Sequence, residues 1–420
     1  MTDEYNNNAL GYGSTAEGIN TTALGMASHT EGYQTYALAT SAHAEGSFSN
    51  ASGAASHAEG YQTIAGEQSS HAEGNASIAT GIGSHAEGFL TTAGGTGAHS
   101  EGSRSTAYGG SAHAEGVSSL ASGDGSHAEG LGTVASGIYA HAEGSLTTAS
   151  GLVSHAEGQL SVASGPVSHA EGGNTTASGA FSHSEGFSTT VTNNHPNSHI
   201  MGIYGNSLYS SSWHLANGTS ATIPGLAAVL EGATGNLYID GTVMSPAADY
   251  AEMFETVDGL PLEPGYFVTS DKQKIRIATD EDNYILGITS GRPSVVGGAY
   301  HLNWQGKYAV DEWGRVKYEE VQIPEEKDEQ GHTMMEIEPT VIKRAVLNPN
   351  FDASRSYTSR IDRPEWVAVG MLGKLLVRDD GTCVENGFCR PNRDGIATAS
   401  EEGYRVLERM GANQILVVVK

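Results

Sequence analysis

Basic residues are almost missing from the first three-fifths of this 420-residue chain. Residues 1–248 hold one, Arg104, against 19 acidic residues, a balance of −18. The other 20 lysines and arginines lie in residues 249–420 beside 29 acidic residues, a balance of −9. A surface this acidic repels nucleic acid and anionic lipid, so no nucleic-acid partner is expected. No run of eighteen apolar residues occurs, so no membrane insertion is expected. The opening MTDEYNNNAL has neither a basic nor an apolar region, so no signal peptide is read there. The two cysteines, Cys383 and Cys389, are too few for a disulfide framework and read as free thiols flanking an Asn-Gly turn. Phenylalanine is scarce, with 8 residues, while glycine reaches 56 and histidine 17.

What is present instead is repetition. HAEG or a close variant places a histidine at His29, His43, His57, His71, His85, His99, His113, His127, His141, His155, His169 and His183, every step fourteen residues. Thr15 holds the same slot in an earlier copy, STAEG. Half a period away lies a second motif, ASG, as at Ala51, Ala121 and Ala135. Each repeat is thus two short segments closed by glycine. Segments of four or five residues are too short for helices but suit strands, with glycine supplying turns of positive φ. Two strands and two turns per fourteen residues predict one coil of a β-solenoid, and thirteen coils a rod of roughly 60 Å. In S-H-A-E the serine and alanine share one face and the histidine and glutamate the other. The small face makes a thin interior, marginal for a lone chain, which association would relieve.

The period and its glycines resemble the YadA-type head repeat over about residues 8–187. That resemblance implies a left-handed parallel β-roll working as a homotrimer. The constant HAEG departs from the family's usual apolar version. A His-x-Glu pair on every strand is read as a structural ladder in preference to a row of metal ligands, so no metal and no cofactor is expected.

After Gly186 the strict period breaks. Residues 188–248 read as a β-rich joint with turn signals, Trp213 and several tyrosines, and with His195, His199 and His214 at no trusted zinc spacing. From residue 249 the composition changes. GYFVT, KIRIA, YILGITSG, KYAVDE, EWVAVGMLGKLLVRDDGT and QILVVVK predict strands, EEGYRVLERM a helix, and PEEKDEQGHTMMEIEP an exposed loop. His301 and His332 belong to no recognisable constellation. The fold class expected is mainly β: a roll over 1–187, the joint over 188–248 and a β-rich domain over 249–420.

ADYAEMFE, PGYFVTSDKQKIRIAT, NYILGITSGRPSVVGG and YAVDEWGRV together resemble the IMC (intramolecular chaperone) autoproteolytic domain of the glutamic-peptidase type. Such domains end Bacillus phage neck-appendage and tail-fibre proteins. The resemblance implies a single self-cleavage between Ala248 and Asp249, with Glu252 catalytic. One relative has serine before the cut; Ala248 rules out an N–O acyl shift and leaves attack by water. A carboxylate can activate that water and a second carboxyl can manage the proton, which suits Glu252 as base and Asp249 as partner. Ser245, four residues away and before Pro246, is a lesser nucleophile candidate. The role implied is a virion tail fibre or appendage, assembled in the host cytoplasm, whose outward partner is a host-surface glycan or other receptor. A capped spike without proteolysis and a cell-surface adhesin are the alternatives. The adhesin would need a signal peptide, a heptad stalk and a membrane barrel, none of which is read here. A glycan-cleaving spike would need an aromatic groove that the repeat lacks.

Overall fold

The computed structural model describes residues 6–300, 306–322 and 341–420. The predicted loop over 324–339, His301 and His332 lie outside them. The chain divides into two compact units, residues 1–241 with 319–344, and residues 242–318 with 345–420. Apart from one 3₁₀ turn, Arg360–Asp362, every regular element among the described residues is a strand. No helix there is long and apolar enough to cross a membrane.

In the first unit each fourteen-residue period forms one coil with two short strands, as His71–Asn75 and Ile78–Ala79. Successive coils pair in parallel and in register, His71 with His85 and Ile78 with Thr92. Two alanine columns fill the interior: Ala58, Ala72 and Ala86 on one strand, Ala65, Ala79 and Ala93 on the other, all fully buried. The residue before each histidine of the repeat, serine in most coils and alanine at Ala42, Ala98, Ala112 and Ala140, is buried too. Where it is serine, its hydroxyl can close the turn by donating to a carbonyl three residues back, as Ser126 to Gly123 at 2.6 Å. An interior this thin is filled by alanine, serine and threonine, with threonine the largest, as at Thr63, Thr91 and Thr133, which accounts for the composition.

The glycine of HAEG is required twice over. Gly74 has φ +96°, and a Cβ there would lie 2.3 Å from the Gly88 carbonyl oxygen of the next coil. Glycine does not serve every turn, however. Tyr139, Val153 and Val167 adopt φ of 53–56°. There a hydrogen bond to the preceding coil, Val153 N–H to Ile138 at 2.9 Å, holds a β-branched residue in the left-handed region.

Histidine and glutamate face outward from the alanines and are half-buried. The imidazoles stack from His29 to His199 with centroids 4.5–4.9 Å apart. The step from His183 to His199 is sixteen residues, yet the two pair in parallel, so the roll continues past the strict period. Trp213 takes the next position and meets His199 at 62°, ending the stack. Leu226–Leu230 then pairs antiparallel with Trp213–Asn217, and Val191, Ile200 and Ala216 form a larger core there. His195 shares a hydrogen bond with Ser207 at 2.7 Å, and buried His214 accepts the Leu208 N–H, so both are packing residues.

The second unit is one ten-stranded sheet. Its organiser is Trp366–Arg378, thirteen residues long. The first half of that strand pairs with Asp249–Glu255 and Gly287–Thr289, the second half with Gln414–Val419. Phe267, Ile288, Val377, Val406, Ile415 and Val417 lie in its main core. KYAVDE makes only isolated bridges at Tyr308 and Val310. The segment expected to be helical is a strand, Tyr404–Gly411, antiparallel to Gln414–Val419. Only Val406 of that strand is buried, while Leu407 and Met410, which set the helical period, are exposed. Pairing with two neighbouring strands overrides the local preference.

Candidate functional site

The Ala248–Asp249 bond lies where an irregular segment enters the Asp249–Glu255 strand. That strand is held on both edges, antiparallel to Trp366–Arg378 and parallel to Val295–Gly297. Three consecutive carbonyls around the bond are fixed. The Ser294 hydroxyl donates to the Ala247 oxygen and the Ser294 N–H to the Asp249 oxygen at 2.8 Å. Between them, the Lys374 N–H donates to the Ala248 oxygen at 3.3 Å. Gly373 makes this approach achievable: its φ is +114°, and a Cβ would lie 2.1 Å from the Ala248 oxygen. The carbonyl of this bond therefore lies against bare backbone with an N–H aimed at it, the arrangement that stabilises a developing oxyanion.

The Asp249 side chain is only 6% exposed. Its Oδ2 is buried without a hydrogen-bond partner among the described residues. It fills the space left by a second glycine, since a Cβ on Gly370 would lie 3.0 Å from Oδ2. A cleft of about 520 Å³ opens here, lined by Ala247, Ala248 and Asp249 together with Arg292, Lys374 and Arg378. Water can reach the bond from it.

Strand alternation separates the two carboxylates named from the sequence. Asp249, Ala251 and Met253 are buried on one face; Tyr250, Glu252 and Phe254 point to the other. Glu252 accepts a hydrogen bond from the Tyr250 hydroxyl at 2.8 Å and packs over Gly297. That carboxylate raises the Tyr250 phenol above its ordinary pKa. Within one chain, then, the structure brings Asp249 to the bond and leaves Glu252 on the opposite face. The Ser245 hydroxyl accepts the Ala247 N–H at 3.2 Å, which ties it into a local turn. Cys383 and Cys389 are free and buried, and burial raises both thiols, Cys389 to about 12, so neither is poised as a nucleophile.

Gly370, Gly373, Lys374 and Ser294 were not picked out from the sequence. Two glycines three apart in an otherwise apolar strand, VGMLGK, were the available signal.

The model of the family described as Peptidase_G2, IMC autoproteolytic cleavage domain matches residues 190–413, more than half of the chain. The chain belongs to this IMC autoproteolytic cleavage family. The YadA head domain repeat also matches, at residues 9–28, 114–140 and 156–182. Among curated proteins, the pre-neck appendage protein of Bacillus phage B103 is 38% identical over 156 residues, which is 37% of this chain and 16% of that protein. That of Bacillus phage phi29 is 37% identical over 151 residues, 36% of this chain and 16% of that protein. A putative phage-related protein, YobO, of Bacillus subtilis strain 168 is 32% identical over 177 residues, 42% of this chain and 20% of that protein. The chain thus spans about a sixth of the length of the phage relatives. A crystal structure of the pre-mature bacteriophage phi29 gene product 12 superposes on 96% of this chain and 55% of its own, with TM-score 0.55 at 20% identity, a likeness of fold.

Proposed function

We propose that the chain is a self-maturing part of a phage or prophage tail appendage. Residues 1–187 and the joint, 188–248, form a homotrimeric shaft carried on the virion toward a host-surface glycan or other receptor. Residues 249–420 align the three chains and then cut themselves off once, between Ala248 and Asp249. The observation that carries this reading is the cradle at the bond, the Lys374 N–H on the Ala248 oxygen and the buried Asp249 carboxyl beside it.

The chemistry is amide hydrolysis of the glutamic type. Water attacks the Ala248 carbonyl carbon while Glu252 takes its proton, and negative charge grows on the oxygen facing Lys374 N–H. The C–N bond then breaks, and the Asp249 carboxyl delivers a proton to the leaving nitrogen, which becomes a new α-amino group. Because Glu252 faces away from the bond of its own chain, it is supplied by a neighbouring copy in the trimer. Cleavage then waits for association, and removal of the aligning domain makes the assembled state hard to reverse.

The test is the mass of purified parent protein beside Glu252→Ala. Two pieces of roughly 24 and 19 kDa in the parent, from dividing the chain at residue 248, and one intact chain in the variant are expected. A folded, intact parent would sink self-cleavage at this bond and leave a capped spike. Mixed trimers of Glu252→Ala and Asp249→Ala chains test the arrangement in trans. Partial recovery of cutting supports it, and no recovery in mixed trimers places both carboxyls on one chain.

A further inference from the structure

We infer that the histidine–glutamate column of the roll binds divalent transition-metal ions of the Zn²⁺ type, each held by two successive imidazoles and the glutamate between them. The donor sets recur along the coils: His99, Glu101 and His113; His127, Glu129 and His141; His155, Glu157 and His169 each gather their ligand atoms within 4.8 Å. This goes beyond the cleavage reading and does not depend on it.

Three observations carry it. First, the Nε2 atoms of His43, His57, His71, His85, His99, His113 and His127 are buried without a hydrogen-bond partner among the described residues, whereas those of His141, His155, His169 and His183 hydrogen-bond a glutamate. A buried ring nitrogen in that state lacks a proton donor, an acceptor or an ion. Second, the carboxylate oxygens stand at coordination spacing. His113 Nε2 is 3.4 Å from Glu101, His127 is 3.5 Å from Glu115 and His141 is 3.2 Å from Glu129. Two ligand atoms each about 2.0–2.2 Å from a tetrahedral zinc lie about 3.4 Å apart. Third, the glutamates stack in register, Glu59 with Glu73 and Glu73 with Glu87, and Arg104 is the one basic residue in 1–248. Among the described residues no lysine or arginine pairs with these glutamates, and a groove lined by Glu59, Glu73 and Glu87 leaves the column open to ions.

The donors choose the ion. Imidazole with carboxylate suits Zn²⁺, Co²⁺ or Ni²⁺, whereas Ca²⁺ and Mg²⁺ take oxygen ligands alone. Neighbouring rings stack about 4.8 Å apart, so two of them must tilt together to share an ion. Each histidine has one outward Nε2, so alternate gaps fill, giving at most about six ions per chain.

The experiment is equilibrium dialysis of metal-free full-length protein against Zn²⁺, with Co²⁺ as a spectroscopic probe and Ca²⁺ and Mg²⁺ as comparators. We expect several Zn²⁺ per chain, a Co²⁺ visible band of imidazole coordination, and a raised melting temperature with Zn²⁺ only. Changing Glu129, Glu143, Glu157 and Glu171 together to glutamine removes two of the about six alternate sites in either register and should lower the number bound by up to about a third, with the β-sheet circular dichroism unchanged. Fewer than one Zn²⁺ per chain, equal binding of Ca²⁺, or the same number bound by the folded variant would overturn the assignment. If the variant does not fold, the parent decides: Co²⁺ retaining its hexaaqua spectrum in the presence of the protein overturns it, and an imidazole band supports it.

Discussion

At Gly373 one hydrogen atom in place of a methyl group decides what the neighbouring peptide can do. A Cβ there would lie 2.1 Å from the Ala248 oxygen, so Gly373→Ala pushes the carbonyl off the Lys374 N–H. Removal of an oxyanion donor slows catalysis by about 10²–10³. Fragment appearance after refolding should slow to that extent, with folding followed separately by circular dichroism; an unchanged rate would remove Lys374 from the mechanism. Ser294→Ala frees only the Ala247 carbonyl, since the Ser294 N–H still holds the Asp249 oxygen, and should slow cutting less. A different residue-scale prediction concerns acid. Arg276 donates two hydrogen bonds to Asp282, and with the Thr279 amide it lowers that carboxyl from 3.8 to about 2. The folded state thus holds the ionised form more firmly than the unfolded chain does. The pair's contribution, of order 1 kcal/mol because Arg276 is half-exposed, is present above about pH 4 and lost as pH falls toward 2. Asp282→Asn should flatten that part of the acid melting curve for the second unit.

Among elements, the roll's turns show where its sequence is under tension. Val153 and Val167 sit at φ 53° because the coil above requires it, although a β-branched residue resists that region. Val153→Asn should stabilise the roll by about 0.5–1 kcal/mol, read as a higher melting temperature. Gly74→Ala does the reverse, since strain and a 2.3 Å approach to Gly88 add together. A loss of at least about 2 kcal/mol is expected. The Tyr404–Gly411 strand makes the same point about context. Its local pattern favours a helix, but Val406 buries against the sheet core only in the extended form.

For the whole molecule, charge and topology would govern assembly of the proposed trimer. Copies whose first 248 residues carry 19 acidic residues and one basic residue repel each other before they can pair. Association during refolding should therefore speed up several-fold between low and physiological salt, as counterions screen that repulsion. A rate independent of salt would show that alignment by the second unit, and not encounter, limits assembly. Parallel strands in long register also form slowly, which favours a detachable aligning domain.

The sequence alone determined the coil. A period of fourteen, two alternating faces and glycine at fixed slots leave one economical backbone, because parallel in-register stacking places every side chain on its own copy. It also nominated a bond, Ala248–Asp249, through the resemblance carried by ADYAEMFE, because that motif spans contiguous residues. It could not place Glu252 relative to Asp249: the alternation of a seven-residue strand was readable, but which face met the bond depended on Trp366–Arg378, more than a hundred residues away. Nor could it find Gly373, Lys374 and Ser294, whose only link to Ala248 is through space. It stopped the ladder at His183, whereas pairing carries it to His199 and Trp213 across a two-residue insertion. Contacts between neighbours along the chain were written in the sequence; contacts made by distant strands were decided by the sheet that joins them.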